Sequence, residues 1–135
     1  MKNIKYTLFV AIAIFTTSCA SSIKFPVSTI TPAAEITAAM KQDKNKNYVI
    51  EVNAVNLASP DRLNPPKKTY VVWITTADNG TKNIGQMVIK NAQKSYLKTS
   101  TPFKALEIFI TAEDQGDISY PSGVEISRTI VSSKK

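Results

Sequence analysis

The 135-residue sequence contains no histidine, only four glycines and a single cysteine, Cys19. Without histidine, the chain lacks the commonest general base, the Ser-His-Asp and Cys-His triads, and the imidazole ligands of zinc and blue-copper sites. A single cysteine excludes an intramolecular disulfide and a multi-thiolate zinc site, and four glycines leave little room for a phosphate-binding loop. The sequence therefore predicts a protein that is not an enzyme, with no catalytic, cofactor-binding or metal-binding residues.

Cys19 lies at the end of a short apolar segment. Lys2 and Lys5 precede the apolar run 6–15, and the small residues 16–18 lead to the cysteine. This arrangement resembles a bacterial lipoprotein signal peptide, which is removed before a cysteine that becomes lipidated. The run is too short for a membrane-spanning helix, which needs roughly 20 residues. Export without lipid would leave Cys19 as an unexplained lone thiol.

We therefore expect four segments along the chain. Residues 1–18 form a helical signal peptide, 19–30 the lipidated cysteine and a short tether, 31–131 a β-sandwich domain, and 132–135 a basic tail. The resemblance implies a membrane partner, reached through the lipid on Cys19. It also implies a place in the cell envelope, at the outer membrane, on its periplasmic or surface side.

The net charge is +7, and it falls to +5 when Lys2 and Lys5 leave with the signal peptide. A basic protein can favour anionic membranes or acidic polymers. An exported protein rarely meets nucleic acid, so we expect no nucleic-acid partner. The lysines are scattered along the chain, which favours a solvated surface over one specific basic site. Contact between the polar turn 41–46 and lipid headgroups is the alternative.

Alternation of apolar and polar residues predicts short strands through most of the chain. In 48–57, Ile50 and Val52 share one face while Glu51 lies on the other. Segment 69–76 is apolar on both faces, as a buried central strand should be. The expected strands are 35–42, 48–57, 69–76, 82–90, 95–99, 105–112 and 124–131. About seven such strands predict an all-β fold. The pattern does not distinguish an antiparallel, immunoglobulin-like β-sandwich from a small barrel, and we prefer the sandwich.

Two of these segments carry more specific expectations. Thr31 and Pro32 would suit the start of a short helix, but we prefer a strand over 35–42 because the following segment is clearly extended. The last strand, 124–131, alternates in period two. Its inward residues are expected to be Val124, Ile126 and Ile130.

Three residues are expected to be structural. Tyr70 and Trp73 lie in the central apolar strand, where aromatic side chains are usually core and direct their polar ends to a hydrogen-bond partner. The alternative is an exposed aromatic platform for a sugar or a peptide. Gly85 interrupts the strand 82–90 and predicts a bulge or a close backbone approach.

Two groups of carboxylates are candidate sites. Glu113, Asp114 and Asp117 could supply oxygen ligands to calcium, but their spacing favours a solvated turn. Glu107 and Glu125 could act as a glycosidase pair. Both lie on outward strand faces, where an isolated carboxylate is normal.

Three stretches share their order with a known family. They are Tyr-Val-Val-Trp-Ile at 70–74, Asn-Ile-Gly-Gln-Met at 83–87, and Phe-Ile-Thr-Ala-Glu at 109–113, followed by Tyr-Pro-Ser-Gly at 120–123. This order resembles the extracytoplasmic domain of the anti-sigma-K factor group over roughly 45–128. The resemblance implies a sandwich fold and an envelope setting. It brings no catalytic residue, and the family's sigma-binding domain has no counterpart in the sequence.

Together these observations predict a non-enzymatic, lipid-anchored cell-envelope protein that acts by binding or as an accessory component. One alternative is a regulatory or sensory partner of an envelope protein complex, with an anti-sigma-like domain. The other is a carboxylate-based enzyme acting on glycans.

Overall fold

The computed structural model describes residues 22–78 and 80–131, which form nine strands and one short 3-10 helix. The predicted signal peptide, Cys19 and the tail 132–135 lie outside the described residues. The elements are β1 Ile23–Lys24, β2 Glu35–Gln42, β3 Tyr48–Val55, the 3-10 helix Pro60–Arg62, β4 Thr69–Thr75, β5 Thr81–Gln86, β6 Val88–Asn91, β7 Lys94–Thr101, β8 Glu107–Glu113 and β9 Glu125–Ile130.

The strands make two antiparallel sheets, ordered β1-β2-β3-β7-β6 and β5-β4-β8-β9. If β2 to β9 are lettered A, B, C, C′, D, E, F and G, the sheets contain the orders ABED and C′CFG, with β1 added beside A. These are the strand orders of an immunoglobulin domain. The predicted antiparallel, immunoglobulin-like sandwich is therefore confirmed, with nine strands where about seven were expected.

The additional strands come from the edges of the sheets. β1 is a two-residue strand that pairs with the middle of β2. The predicted strand 82–90 is divided at Met87, so that β5 pairs with β4 in one sheet and β6 pairs with β7 in the other. The Met87 side chain is buried, and its backbone N–H donates to the Tyr70 carbonyl oxygen at 2.9 Å. The chain changes sheets at this buried residue.

The segment after Pro32 is a strand, as preferred over a helix. All eight residues of β2 pair with β3 in continuous register. The connecting turn is closed by Asp43, whose carboxylate accepts from the backbone N–H groups of Asn45 and Asn47, both at 2.9 Å. Lys46 takes the left-handed backbone conformation that such a turn requires, with φ of 64°.

The core fills the space between the sheets. It is built from the alternate residues of each strand that point inward, which is the basis of the period-two pattern. The five-stranded sheet contributes Ile36, Ala38, Ile50, Val52 and Ala54, and the four-stranded sheet contributes Tyr70, Val72, Ile74, Ile108, Ile110, Ala112 and Ile126.

β4 is buried on both faces, as its two-sided apolar sequence predicts. Its outward residues Val71 and Trp73 form a second apolar cluster with Phe109, against which Ile118 packs. Ile118 belongs to the β8–β9 connection, residues 114–124, which we call the cover loop. Asn83 holds this loop by donating to the backbone carbonyl oxygens of Gly116 at 2.8 Å and Ile118 at 2.9 Å.

The predicted inward face of the last strand is wrong in part. Ile126 is buried, but Ile130 is 72% exposed and Val124 is also exposed, whereas Ser127 and Thr129 are buried. The pairing of β9 with β8 shifts at Ile126, because Thr111 pairs with Glu125 and Ile110 with Ser127. One extra residue at this bulge moves every later side chain to the opposite face.

Candidate functional site

The anchor residue and the described domain are separated by very little sequence. Cys19 lies outside the described residues, and four residues along the chain β1 begins at Ile23. Among the described residues, no helix is long and apolar enough to cross a bilayer. The lipid site thus stays a prediction from the sequence, placed immediately before an edge strand.

Tyr70 is fully buried and bonds to the loop that follows β3. Its phenol donates to the Ala58 carbonyl oxygen at 2.6 Å. Burial and, to a lesser extent, the negative charge of Asp61 raise the pKa of Tyr70 to about 12. The phenol therefore stays protonated and holds the 57–62 segment against the sandwich.

Trp73 is also fully buried, but on the outer face of its sheet. The immunoglobulin pattern places a buried tryptophan on the equivalent strand facing the core; here Trp73 points to the opposite side. Its ring stacks on Phe109 with centroids 6.2 Å apart, and its Nε1–H donates to Thr111 Oγ1 at 2.8 Å. With 0% of its surface exposed, it does not form the aromatic platform that was the alternative.

Gly85 sits at an irregularity in the pairing of β5 with β4. Val72 pairs with Gly85 and Trp73 with Asn83, which leaves Ile84 as the extra residue of a bulge. Gly85 has φ of +136°, and a Cβ there would lie 3.2 Å from a methyl carbon of Leu97. The positive φ favours glycine at this position, and the contact with Leu97 of the opposite sheet leaves little room for a Cβ.

Glu113 is not in a solvated turn, contrary to the expectation from sequence. It is buried, and its carboxylate accepts from Thr111 Oγ1 at 2.7 Å, Ser122 N–H at 3.0 Å and Ser122 Oγ at 2.8 Å. Burial alone would raise the pKa of Glu113, but hydrogen bonds from Thr111, Gly123 and Ser122 outweigh it and lower the pKa below its ordinary value. Asp114 and Asp117 are exposed and are not gathered around it.

The Glu113 carboxylate closes one end of the cover loop. Trp73 donates to Thr111, and Thr111 donates to Glu113, so the indole and the loop share one hydrogen-bond chain. The loop passes so close that a Cβ on Gly123 would lie 1.7 Å from the Ala112 carbonyl oxygen. The described residues hold no group of three or more His, Cys, Asp or Glu side chains placed to share a metal ion.

Glu107 and Glu125 are brought together, but by an arginine. Arg128 Nη1 lies 3.0 Å from Glu107 Oε2, and Arg128 Nε lies 2.7 Å from Glu125 Oε1. The guanidinium carbon of Arg128 also lies 4.0 Å from the centroid of the Phe109 ring. The two carboxylates thus share one cation above an aromatic ring, on the surface of the sheet.

The outer face of the five-stranded sheet has a different chemistry. Its strands carry five exposed lysines, which we call the lysine face: Lys24, Lys41, Lys90, Lys94 and Lys98. Lys24, Lys41, Lys94 and Lys98 each adjoin a residue that is buried or packs on the core cluster, so they point away from the core. Lys90 lines the same outer groove as Lys94 and Lys98. Sequence reasoning missed this surface because these lysines are spread over 75 residues and meet only when the strands pair.

A groove of about 410 Å³ crosses this face over β3, β7 and β6. Its lining includes Asn53, Tyr96 and Val88, which lie side by side because Asn53 pairs with Tyr96 and Tyr96 with Val88. Tyr96 is 38% exposed and Val88 48% exposed. Glu51 is the one acidic side chain of the lining and lies in register with Lys98.

The strands of the two sheets differ in charge. Those of the five-stranded sheet carry five lysines and two glutamates, Glu35 and Glu51, whereas those of the four-stranded sheet carry two cations and three glutamates. Among the described residues the ion pairs within 4.0 Å are Lys67–Asp114, Arg128–Glu107 and Arg128–Glu125. The basic groups of the lysine face are therefore uncompensated by close acidic partners.

Comparison of the chain with family models, with curated proteins and with solved structures finds no match. The likenesses to lipoprotein signal peptides and to the anti-sigma-K domain therefore stay predictions from the sequence. Function must be inferred from the residues around Cys19 and from the described surfaces.

Proposed function

We propose that this protein is a non-enzymatic, lipid-anchored component of the bacterial cell envelope, attached to the outer membrane and acting by binding. The observation that carries this proposal is the position of Cys19. It follows a basic segment and a short apolar run, and it precedes the first strand by four residues. A diacylated cysteine at this point would hold an immunoglobulin-like domain directly at a membrane surface.

The state of the carboxylates supports a role in binding rather than catalysis. The buried Glu113 already accepts hydrogen bonds from a hydroxyl and from the cover loop. Glu107 and Glu125 share the Arg128 guanidinium, whereas a glycosidase pair needs one carboxylic acid and one free carboxylate facing a substrate. Each of these acids has a partner that stabilises the fold.

The proposal is tested by mass spectrometry of the protein isolated from membranes of its bacterial host. We expect cleavage before Cys19 and acyl chains on that residue. The variant Cys19→Ser should remain uncut or leave the membrane fraction, and Ser22→Ala is the matched control that should behave as the wild type. Separation of the two membranes on a density gradient should place the protein with the outer membrane.

Two results would overturn the proposal. One is an N-terminal peptide containing Cys19 without any acyl chain in the membrane fraction. The other is a Cys19→Ser variant that is processed and retained on the membrane as the wild type is.

A further inference from the structure

We propose that the lysine face of the five-stranded sheet lies against the anionic headgroups of the membrane that holds the lipid anchor. This inference rests on the proposed function, because it assumes that Cys19 is acylated. It adds an orientation: the five-stranded sheet faces the bilayer, and the four-stranded sheet with its cover loop faces away.

The lysine face carries an excess of positive charge. Five exposed lysines on one sheet face oppose two glutamates, and none of the five has an ion pair within 4.0 Å among the described residues. Each lysine brought near an anionic surface favours the bound state by about fivefold. Lys44 and Lys46, in the turn joining β2 to β3, are exposed as well.

The lysine face begins a short distance along the chain from the lipid anchor. Three residues lie between Cys19 and Ile23, so even a fully extended chain spans at most about 14 Å from one to the other. Lys24 follows immediately and is the first lysine of the face. The attraction between charges decays over a Debye length of about 8 Å at physiological salt. A tether this short lets Lys24, on the edge strand of the face, lie within a Debye length of the headgroups.

The width of the lysine face and the side chains at its centre also suit a membrane surface. Five strands at a spacing of about 4.8 Å give a face roughly 19 Å wide from β1 to β6. Its centre is open sheet, with Tyr96 and Val88 half exposed among the lysines. Tyrosine suits the headgroup level because its ring is apolar and its hydroxyl is polar, and lysines there keep their ammonium groups at the interface.

The opposite face fits a membrane poorly. The cover loop lies over the outer face of the four-stranded sheet and carries the exposed Asp114 and Asp117. Glu107 and Glu125 lie on the same side. These four acids outnumber their paired cations, Arg128 and Lys67, so the surface keeps an excess of negative charge that anionic headgroups would repel.

The test is lysine acetylation of the full-length, acylated protein in vesicles of phosphatidylcholine alone or with 30% phosphatidylglycerol. Reaction at each lysine is read by mass spectrometry. We expect the five lysines of the face to react several-fold more slowly in the anionic vesicles than in the neutral ones. Lys68, Lys82 and Lys104 lie off this face and should react equally in both. Salt at 1 M, where the Debye length is about 3 Å, should remove the protection.

Reversing the charge of two lysines of the face gives a second test. The double variant Lys94→Glu, Lys98→Glu should lower the ratio of docked to undocked molecules by at least 25-fold and expose Lys24, Lys41 and Lys90 to acetylation. The control, Lys68→Glu with Lys104→Glu, makes the same change in net charge elsewhere and should retain protection. Both pairs are surface-exposed, and a thermal melt checks that both variants are folded.

Three results would overturn the inference: equal protection in neutral and anionic vesicles, protection of Lys68, Lys82 and Lys104 instead, or protection that survives the double variant. These outcomes are distinct from failure of the anchor, which the intact mass of the protein reports before reconstitution. If acyl chains are absent, the proposed function fails. Flotation of the unacylated chain with anionic vesicles alone would still support the lysine face, and equal flotation with both would reject it.

Discussion

The outer faces of the two sheets differ: one is covered by a loop, and the other is open to solvent. On the four-stranded sheet, Trp73 and Phe109 are covered by Ile118 of a loop held at one end by Asn83 and at the other by Glu113. On the five-stranded sheet no such cover exists among the described residues, and lysines surround a bare groove. The covered face adds to the stability of the fold, whereas the bare face is available for contact.

The difference comes from the outward residues of each sheet. Where those residues are large and apolar, leaving them in water is unfavourable, and a loop that buries them contributes roughly 25 cal/mol for each Å² of apolar surface. Where lysines and other polar residues surround a few half-exposed apolar ones such as Val88 and Tyr96, burial of the charges would be costly and the surface stays open. The same fold therefore supports a second core on one side and a charged surface on the other.

The largest expected effect is on the free energy of unfolding, which aromatic deletions on the two faces should lower by different amounts. Trp73→Ala should destabilise the protein by about 3–5 kcal/mol, because it leaves a cavity under the cover loop and removes the Thr111 hydrogen bond. Tyr96→Ala, an aromatic deletion on the bare face, should cost much less, since its side chain is already partly in water. Urea unfolding followed by circular dichroism compares the two. Equal losses would contradict the distinction between covered and bare faces.

Glu113→Gln should give the next largest effect, about 1.5–3 kcal/mol, because charge-assisted hydrogen bonds to the cover loop are weakened. The pKa of Glu113 is lowered on folding, so the charged form stabilises the native state above the unfolded pKa, near 4.5. That contribution should disappear as the pH falls below about 4.5 through the folded pKa. Melting temperatures of wild type and variant should converge there.

The control for Glu113 is the neighbouring, exposed Asp114. Asp114→Asn loses a surface ion pair with Lys67 at 3.4 Å, and its effect should lie within about 1 kcal/mol. If both variants were equally destabilised, the Glu113 network would have no special role in holding the loop.

Arg128→Ala should have a smaller effect, about 1 kcal/mol, through the loss of two partly exposed ion pairs and of the contact with the Phe109 ring. Arg128→Lys should recover part of this loss. Raising the salt concentration should reduce the difference between wild type and Arg128→Ala, since the ion pairs are screened. A salt-independent loss would indicate packing alone.

The smallest effect on stability is expected on the bare face. Lys94→Ala and Lys98→Ala should each change the free energy of unfolding by less than about 0.5 kcal/mol, because their ammonium groups have no close partner in the fold. The same variants should reduce protection from acetylation on anionic vesicles. A large loss of stability would mean that these lysines serve the fold rather than a partner.

Much of the sandwich was predictable because its signals are local. The apolar segment on both faces of β4 predicts a central strand, and the period-two pattern of β3 predicts a half-buried one. The division of 82–90 into β5 and β6 was missed, because a strand that leaves one sheet for the other has no distinct alternation. The orientation of β9 was missed for a related reason: a bulge at Ile126 changes the face, and a bulge has no clear sequence signature here.

The candidate surface was less predictable than the fold. The irregular spacing of the lysines along the chain predicts scattered charges. The polar residues that follow Glu113 predict a solvated turn there. Both errors concern contacts between residues distant in sequence, which pattern analysis within a short window does not reach.

The sequence by itself determined the strand-rich class, the absence of histidine chemistry and the segment that predicts the Cys19 anchor. These follow from composition and from short-range periodicity, which depend on neighbouring residues alone. Only the tertiary structure decided that Trp73 faces outward under a loop, that Glu113 is buried and ionised, and that five lysines share one sheet face. Strand pairing and sheet packing set these features, because they bring together residues that are far apart along the chain.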